Sequence, residues 1–455
     1  MQPSHRTALA LVLLNLVLKW CWLGVNELAH DEPFTMYWAL RPIGALWTML
    51  GTENNPPLYF LLMKAWGMLV PLDAAWWRIP SATFSALAVW PLYLLTRQLG
   101  GARIALVAAL LFTFSNYHYG FAHEVRAYAL FTLLSVTSMW LLLRNSEGRM
   151  RPWIWLAVVN VLLVYTHFFG WFVIGLQGLC MVLPELRTKW RTYLIALGIA
   201  VASYLPYAAI FLSRMGHSMQ AGTWLDPPVP EELYNMIWRW SNAPVLAVGF
   251  LVVIAVALWR TRAKDLGMRL GLLWTFVPLL GMFAVSFAVP MFLDRYLVYA
   301  APGFTLLVAF ALSEVFVDQR VTNVLAFGAV IGMALTVQPW QDNGRHPSKV
   351  VAQVEAWSVP QQTVLILPDH YDLTFAYHWD KGSFLSETSI PAQLAAHHIH
   401  PVAGVVPEQD VHGEQLILIL SGEDRPAVLG SLRARYGTVD AVEADHKVWV
   451  YLFRK

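Results

Sequence analysis

Charged residues are scarce in this chain. Only 13% of its 455 residues are Asp, Glu, Lys or Arg, against 57% hydrophobic, and the mean hydropathy is +0.50. A soluble globular protein carries about 25% charged residues, so composition excludes a single soluble domain and excludes disorder. Cysteine is almost absent. Cys21 and Cys180 both sit inside apolar stretches, which leaves no disulfide framework. Lys and Arg form no long run and the formal net charge is only +2, so nucleic acid is not an expected partner. A Walker loop, a Gly-rich dinucleotide fingerprint and a Gly-x-Ser-x-Gly elbow are also missing. That disfavours nucleotide-driven and serine-hydrolase chemistry. What remains is an integral membrane protein, and its 22 Trp and 17 Tyr suit interfacial aromatic belts.

A membrane span needs about 17–25 apolar residues. Eleven runs qualify, near 7–26, 79–97, 103–121, 125–143, 152–167, 169–184, 192–212, 244–260, 270–289, 296–313 and 321–338. The first lacks a small-residue cleavage site and is expected to stay as an uncleaved anchor. A twelfth run, Pro57–Val70, is short and interrupted by Lys64 and Gly67. The positive-inside rule decides its place. If it does not cross and the N-terminus is cytoplasmic, the inner segments hold twice as many Lys and Arg as the outer ones in about half the length. If it crossed, that bias would reverse. Pro57–Val70 is therefore expected to be an amphipathic or re-entrant helix on the outer surface. The expected fold is a polytopic α-helical membrane protein of about eleven spans plus outer surface helices.

Beyond residue 339 the texture changes. Residues 340–455 regain ordinary charge and show strand-like runs at Thr363–Leu367, Val402–Val406, Leu416–Leu420 and Val448–Phe453. Between them, Pro391–His397 and Ala427–Tyr436 read as helices. The expected organisation is a membrane domain over 1–339 and a small soluble α/β domain over 340–455 on the outer face. No fixed-period repeat or low-complexity tract appears.

Candidate chemistry gathers at the outer ends of spans. His30-Asp31-Glu32 follows the first span, and two adjacent carboxylates there read as a solvated acid pair or as a general base facing a substrate in the membrane plane. Glu124 and Arg126 lie on the same side, between the third and fourth spans. Charges at a span boundary are costly unless paired or wet. They read as a structural ion pair or as an anion site, with Arg126 on a phosphate and Glu124 on a sugar hydroxyl or a metal. Asp294-Arg295-Tyr296 repeats the theme, because Arg offers a bidentate fork to phosphate at the depth of a lipid headgroup. Simple snorkelling is the plainer account of Arg295. Lys64 adds a further candidate positive group. A zinc or manganese site from His30, Asp31, His123, Glu124 or His167 has no supporting ligand spacing, so no metal or other cofactor is expected.

Taken in order, these motifs resemble the membrane-embedded GT-C glycosyltransferases that use polyprenyl-phosphate sugars, the group of protein O-mannosyltransferases and bacterial lipid A aminoarabinose transferases. The matching residues are Asp31-Glu32; Asn55-Pro56-Pro57-Leu58-Tyr59; Arg78-Ile79-Pro80-Ser81; Glu124-Val125-Arg126-Ala127-Tyr128; Tyr165-Thr166-His167-Phe168-Phe169; and Arg295-Tyr296-Leu297 with Pro302. The likeness covers roughly residues 7–315. It implies inverting sugar transfer from a lipid-linked donor to an outer acceptor glycan, lipid or protein, in a bacterial plasma membrane. Asp31 matches the acidic residue taken as general base, with Glu32 beside it. Arg126 and Arg295, with Lys64, match positions that would hold the donor phosphate. Glu124, His167, Tyr128 and Tyr296 would line the sugar or acceptor. Two features depart from the pattern: Asn54 and Asn55 stand where many relatives have His or Lys before the Pro-Pro step, and residues 340–455 carry no matching motif. A secondary transporter or lipid flippase is the alternative class. It would place its charges nearer the bilayer midplane and show repeat symmetry.

Overall fold

The computed structural model describes residues 3–144, 151–221, 225–359, 362–404, 413–422 and 425–455. Helices follow one another as α1 (Pro3–Trp20), α2 (Asp31–Leu40), α3 (Ile43–Thr52), α4 (Pro57–Gly67), α5 (Ala74–Leu87) and α6 (Val89–Thr113). Then come α7 (Asn116–Ala122), α8 (Tyr128–Arg144), α9 (Arg151–Thr166), α10 (Gly170–Cys180) and α11 (Trp190–Ala221). The helical region closes with α12 (Glu231–Trp240), α13 (Pro244–Thr261), α14 (Leu266–Val285), α15 (Ala301–Glu314) and α16 (Gln319–Thr336). The rest is α17 (Pro347–Trp357), β1 (Thr363–Leu367), α18 (Asp372–Trp379), α19 (Ile390–Ala395), β2 (Ile399–Pro401), β3 (Gln415–Ser421), α20 (Pro426–Tyr436), β4 (Thr438–Asp445) and β5 (Val448–Arg454).

Every one of the eleven apolar runs is helical over most of its length. Among the described residues, four helical stretches are long and apolar enough to cross a membrane: Ala74–Thr113, Arg187–Gly216, Pro244–Thr261 and Leu266–Val285. Shorter apolar helices include Tyr128–Arg144, Trp153–Thr166, Gly170–Cys180 and Ala301–Glu314. Gly101, at φ +85°, breaks the longest stretch between the second and third expected runs. Helix α4 has 11 residues, about 16 Å at 1.5 Å per residue against a hydrocarbon core of about 30 Å. Three helices were not foreseen in the outer segments: α2, α3 and α12. The acid pair read as a loop instead opens α2, where Asp31 and Glu32 occupy the first turn and Pro33 follows. Acidic side chains and an early Pro both suit a helix start.

The chain forms two compact units. The first comprises Met1–Trp22, Trp47–Leu62 and Arg78–Pro339; the second comprises Leu23–Leu46, Met63–Trp77 and Trp340–Lys455. In the first, α15 is the hub, buried from Ala301 to Leu312 and packed on α6, α13, α14 and α16. Lipid supplies no hydrophobic drive between helices, so close packing over small residues must hold them. Gly271 and Gly303 do this at the α14–α15 crossing, where an added Cβ would meet the Leu307 backbone at 2.9 Å and Trp274 at 2.7 Å. Several buried polar groups pair with one another inside this unit: Asn160 Nδ2 donates to Gln177 Oε1 at 3.0 Å, and Lys189 Nζ donates to the Leu143 carbonyl at 2.6 Å.

The second unit holds a five-stranded sheet in the order β2-β1-β3-β5-β4, with β1 parallel to β2 and β3, and β5 antiparallel to β3 and β4. Strands β1 and β3 are almost continuously apolar and buried, as parallel strands covered on both faces must be. One face packs Leu365, Leu418, Tyr451 and Phe453 against Leu432 and Tyr436 of α20. The strand expected at 402–406 is displaced to Ile399–Pro401; the Val402 N–H still donates to the Ile366 carbonyl of β1 at 2.9 Å, the pairing ends there, and residues 405 and 406 lie outside the described residues. Strand β4 was not foreseen. It is an edge strand with a mostly exposed, charged sequence, which hides the alternation that reading for strands relies on.

One carboxyl in this unit carries a pH prediction. Burial, aided by the charge of Asp369, pushes Asp372 from 3.8 up to about 7, against the pull of the Leu373 N–H. Through that window the native state keeps a proton that the unfolded chain releases, so this group makes stability fall as pH rises. Asp372→Asn should flatten that slope and stabilise the unit at about pH 8 by about 1–2 kcal/mol, discounted for residual solvent contact. Chemical denaturation at about pH 5 and about pH 8, followed by protection of the β1 and β3 amides, checks it.

Candidate active site

The first unit brings together members of five of the six sequence motifs. Helix α7 ends at Ala122, and residues 123–127 run outside helix before α8 starts at Tyr128. His123 pins this link by a 3.0 Å bond between Nε2 and the Lys19 carbonyl. The Arg126 carbonyl accepts from Ser81 Oγ at 3.3 Å, and Ser81 Oγ shares a 2.8 Å bond with Tyr59 OH. Arg126 Nη2 donates to Asn55 Oδ1 at 3.3 Å, and the Asn55 carbonyl accepts from Tyr207 OH at 3.2 Å. The Asn-Pro-Pro step, the Arg-Ile-Pro-Ser step and the Glu-Val-Arg segment are thus one hydrogen-bonded patch.

His167 joins this patch to the last motif. It lies in the short link between α9 and α10, stacked on Phe131 at 4.8 Å, with Tyr128 at 6.0 Å and Tyr296 at 5.9 Å between ring centres. The Phe169 N–H donates to His167 Nδ1 at 3.2 Å. Nδ1 is therefore the unprotonated nitrogen, and Nε2 carries the ring's proton as a donor. The Arg126 guanidinium lies 5.9 Å from the Tyr128 ring centre, and that of Arg295 lies 5.8 Å from Tyr296. The arrangement is a neutral imidazole among aromatic rings, with Arg126 beside one neighbouring tyrosine and Arg295 beside another.

Arg295 sits in a single 3-10 turn, Asp294–Leu297. Asp294 accepts from the Arg295 N–H at 2.7 Å and from Arg239 Nη1 at 2.6 Å, while Tyr117 OH donates to the Asp294 carbonyl at 2.5 Å. An exposed pair such as Arg239–Asp294 adds little stability. Its effect is on orientation, since Arg239 takes up the Asp294 carboxylate beside Arg295. Reading the sequence passed over Arg239, Tyr117 and Tyr207. Tyr207 belongs to an aromatic cluster with Tyr165, Phe168 and Tyr204, and that concentration of rings was the only signal for it.

Asp31, Glu32 and Lys64 belong to the second unit, and Glu124 to the first. Asp31 is partly exposed at the start of α2 and Glu32 is buried next to it. Lys64 Nζ donates to the Arg41 carbonyl at 2.5 Å and weakly to the Ala39 carbonyl at 3.4 Å. It thereby closes the C-terminal end of α2, a position that favours a cation. Among the described residues, no three His, Cys, Asp or Glu side chains gather as a metal site.

No protein-family model matches the chain, and no curated protein matches it by sequence. Solved structures do match in shape. ArnT from Cupriavidus metallidurans in the apo state aligns over 99% of this chain and 98% of its own, with TM-score 0.62 at 12% identity. The same protein bound to undecaprenyl phosphate gives TM-score 0.63 at 13% identity, over 98% and 97%. The apo oligosaccharyltransferase of Archaeoglobus fulgidus gives TM-score 0.54 at 12% identity, over 82% of this chain and 64% of that one. The chain is therefore similar to ArnT in fold over nearly its whole length.

Proposed function

We propose that this chain is an inverting membrane glycosyltransferase that moves a sugar from a polyprenyl-phosphate donor to an outer acceptor hydroxyl. The observation that carries the reading is that Arg126 and Arg295 each lie against a tyrosine, Tyr128 and Tyr296, that flanks one neutral histidine, His167, within a fold similar to that of a protein solved with undecaprenyl phosphate. The leaving group is a lipid phosphate. Two guanidinium groups stabilise its charge electrostatically as the glycosidic bond breaks. A sugar or protein hydroxyl is a poor nucleophile, so a carboxylate must take its proton as the new bond forms, and Asp31 is assigned that part. Glu32 stands beside it as a second acid. His167 Nε2, Tyr128, Tyr296 and Glu124 are assigned to sugar and acceptor hydroxyls. Lys64 is kept out of the phosphate set because it already binds the end of α2. Eleven crossings, a cytoplasmic N-terminus and an extracytoplasmic site in a bacterial plasma membrane complete the proposal, supported by the distribution of Lys and Arg.

Donor turnover tests it. Purified protein in lipid nanodiscs, given polyprenyl-phosphate-linked pentoses and hexoses with an outer-envelope acceptor extract, should release free polyprenyl phosphate. Movement of the intact donor between leaflets with no cleavage would replace this reading with a transporter.

A further inference from the structure

Helix α2 is clamped at both ends by the C-terminal part of its own unit. Ahead of the helix, His378 Nε2 donates to the Leu28 carbonyl at 2.7 Å, and His378 Nδ1 faces the Glu27 carboxylate at 3.6 Å. That carboxylate also accepts from Ser348 at the start of α17, through the backbone N–H at 2.9 Å and Oγ at 2.6 Å. Behind the helix, Arg41 Nη1 donates to the Ser386 carbonyl at 2.5 Å and Nη2 donates to the Phe384 carbonyl. The Arg41 guanidinium lies over Tyr37 of α2 at 4.3 Å, and Tyr37 meets the Phe384 ring edge-on at 5.4 Å. Arg41 and His378 are both largely buried.

Between these anchors, the residue just before Asp31 is held in an unusual conformation: His30 has φ +52° and ψ −119°. A non-glycine residue stays there only when its surroundings over-determine it. The hydrogen bonds at 26–28 and at Arg41 are the restraints that flank it, joined by Asn343, whose N–H donates to Asn26 Oδ1 at 3.0 Å. A ten-residue helix is marginal in isolation, so its rotation and axial position come from what grips its ends.

We propose that the C-terminal segment serves the reaction through this clamp: Arg41 and His378 are positioning residues that set how α2 presents Asp31. The inference rests on the assignment of Asp31 as general base. Small misplacements of a reacting group are expensive in rate, so the clamp should act on turnover and leave donor capture alone.

Arg41→Ala and His378→Leu in the full-length protein test it. Each should lower kcat about 10- to 100-fold with donor KM unchanged, and each should speed hydrogen exchange in Thr35–Leu40 while β1 and β3 stay protected. Arg41→Lys, which keeps the charge but loses the fork to two carbonyls, should recover part of the loss. In the Asp31→Asn background neither change should cost anything further. Should Arg41→Ala fail to keep β1 and β3 protected, His378→Leu decides the matter by the same measurements. A raised donor KM with kcat intact, unchanged exchange in α2, or a full multiplicative loss on top of Asp31→Asn would overturn the clamp. Near-normal activity in Asp31→Asn alone would instead remove the base assignment, and the inference with it.

Discussion

Replacing Asp31 by Asn is expected to reduce sugar transfer by about 100- to 10,000-fold, the usual contribution of a general base. Expression and donor binding should stay near normal. Asn keeps the size of the side chain, and the nearby Thr35 Oγ1 bond goes to the Asp31 backbone carbonyl, which the substitution leaves alone. One structural cost is the loss of a negative charge at the start of α2, about 0.3–1 kcal/mol through the helix dipole. That is far below the several kcal/mol per activation barrier that the rate loss represents. Initial rates of polyprenyl phosphate release, set beside equilibrium binding of labelled donor, separate the two effects. Activity within a few-fold of the parent protein would remove Asp31 from the mechanism. Glu32, buried in the same helical turn, would become the next residue to replace.

The legible parts of this molecule are those where burial writes a pattern. Strand β1 could be read to the residue because Thr363–Leu367 is an unbroken apolar run between parallel neighbours. The break at Gly101 could be read because the apolar run stops around it. Helix α2 could not. Its sequence mixes Asp31, Glu32 and Pro33 with three aromatic residues, and its faces are covered by groups such as Arg41 and Phe384 that only the folded chain supplies. The same limit applies to the site. Arg126, His167 and Arg295 stand out because charged or ionisable groups at span ends demand an explanation. Tyr207 is unremarkable as a residue type, and its bond to the Asn55 carbonyl, like that of Arg126 to Asn55 Oδ1, exists only because the links before α4 and α8 approach each other and α11 in the folded chain. Lys64 was legible as a cation but not as the cap of a helix that had not been foreseen.

The other large effect expected concerns the lipid phosphate. Arg126 and Arg295 come from opposite halves of the first unit's sequence, yet each stands by a tyrosine ring, Tyr128 or Tyr296, whose centre lies 6.0 Å and 5.9 Å respectively from that of His167. The two approach it differently. Arg126 also donates to Asn55 Oδ1 at 3.3 Å, a long bond that a stronger acceptor would displace, whereas Arg295 stands in a turn whose acid, Asp294, is engaged by Arg239. A phosphate near lipid needs such partners, and each charge-assisted hydrogen bond contributes about 1.5–3 kcal/mol, roughly 10- to 100-fold in rate or affinity. Replacing either Arg by Lys keeps the charge but loses the planar fork, so donor use should weaken measurably. Single Ala variants should each lose about 10- to 100-fold in kcat/KM. The double Ala variant should lose more than either single variant but less than the product of the two losses, because both groups serve one ligand. A double-mutant cycle on kcat/KM for the donor measures this coupling. Full additivity would mean that the two groups do not share a phosphate. The residue whose Lys variant behaves like the parent would then be a snorkelling cation at the membrane edge, and the other would hold the donor alone.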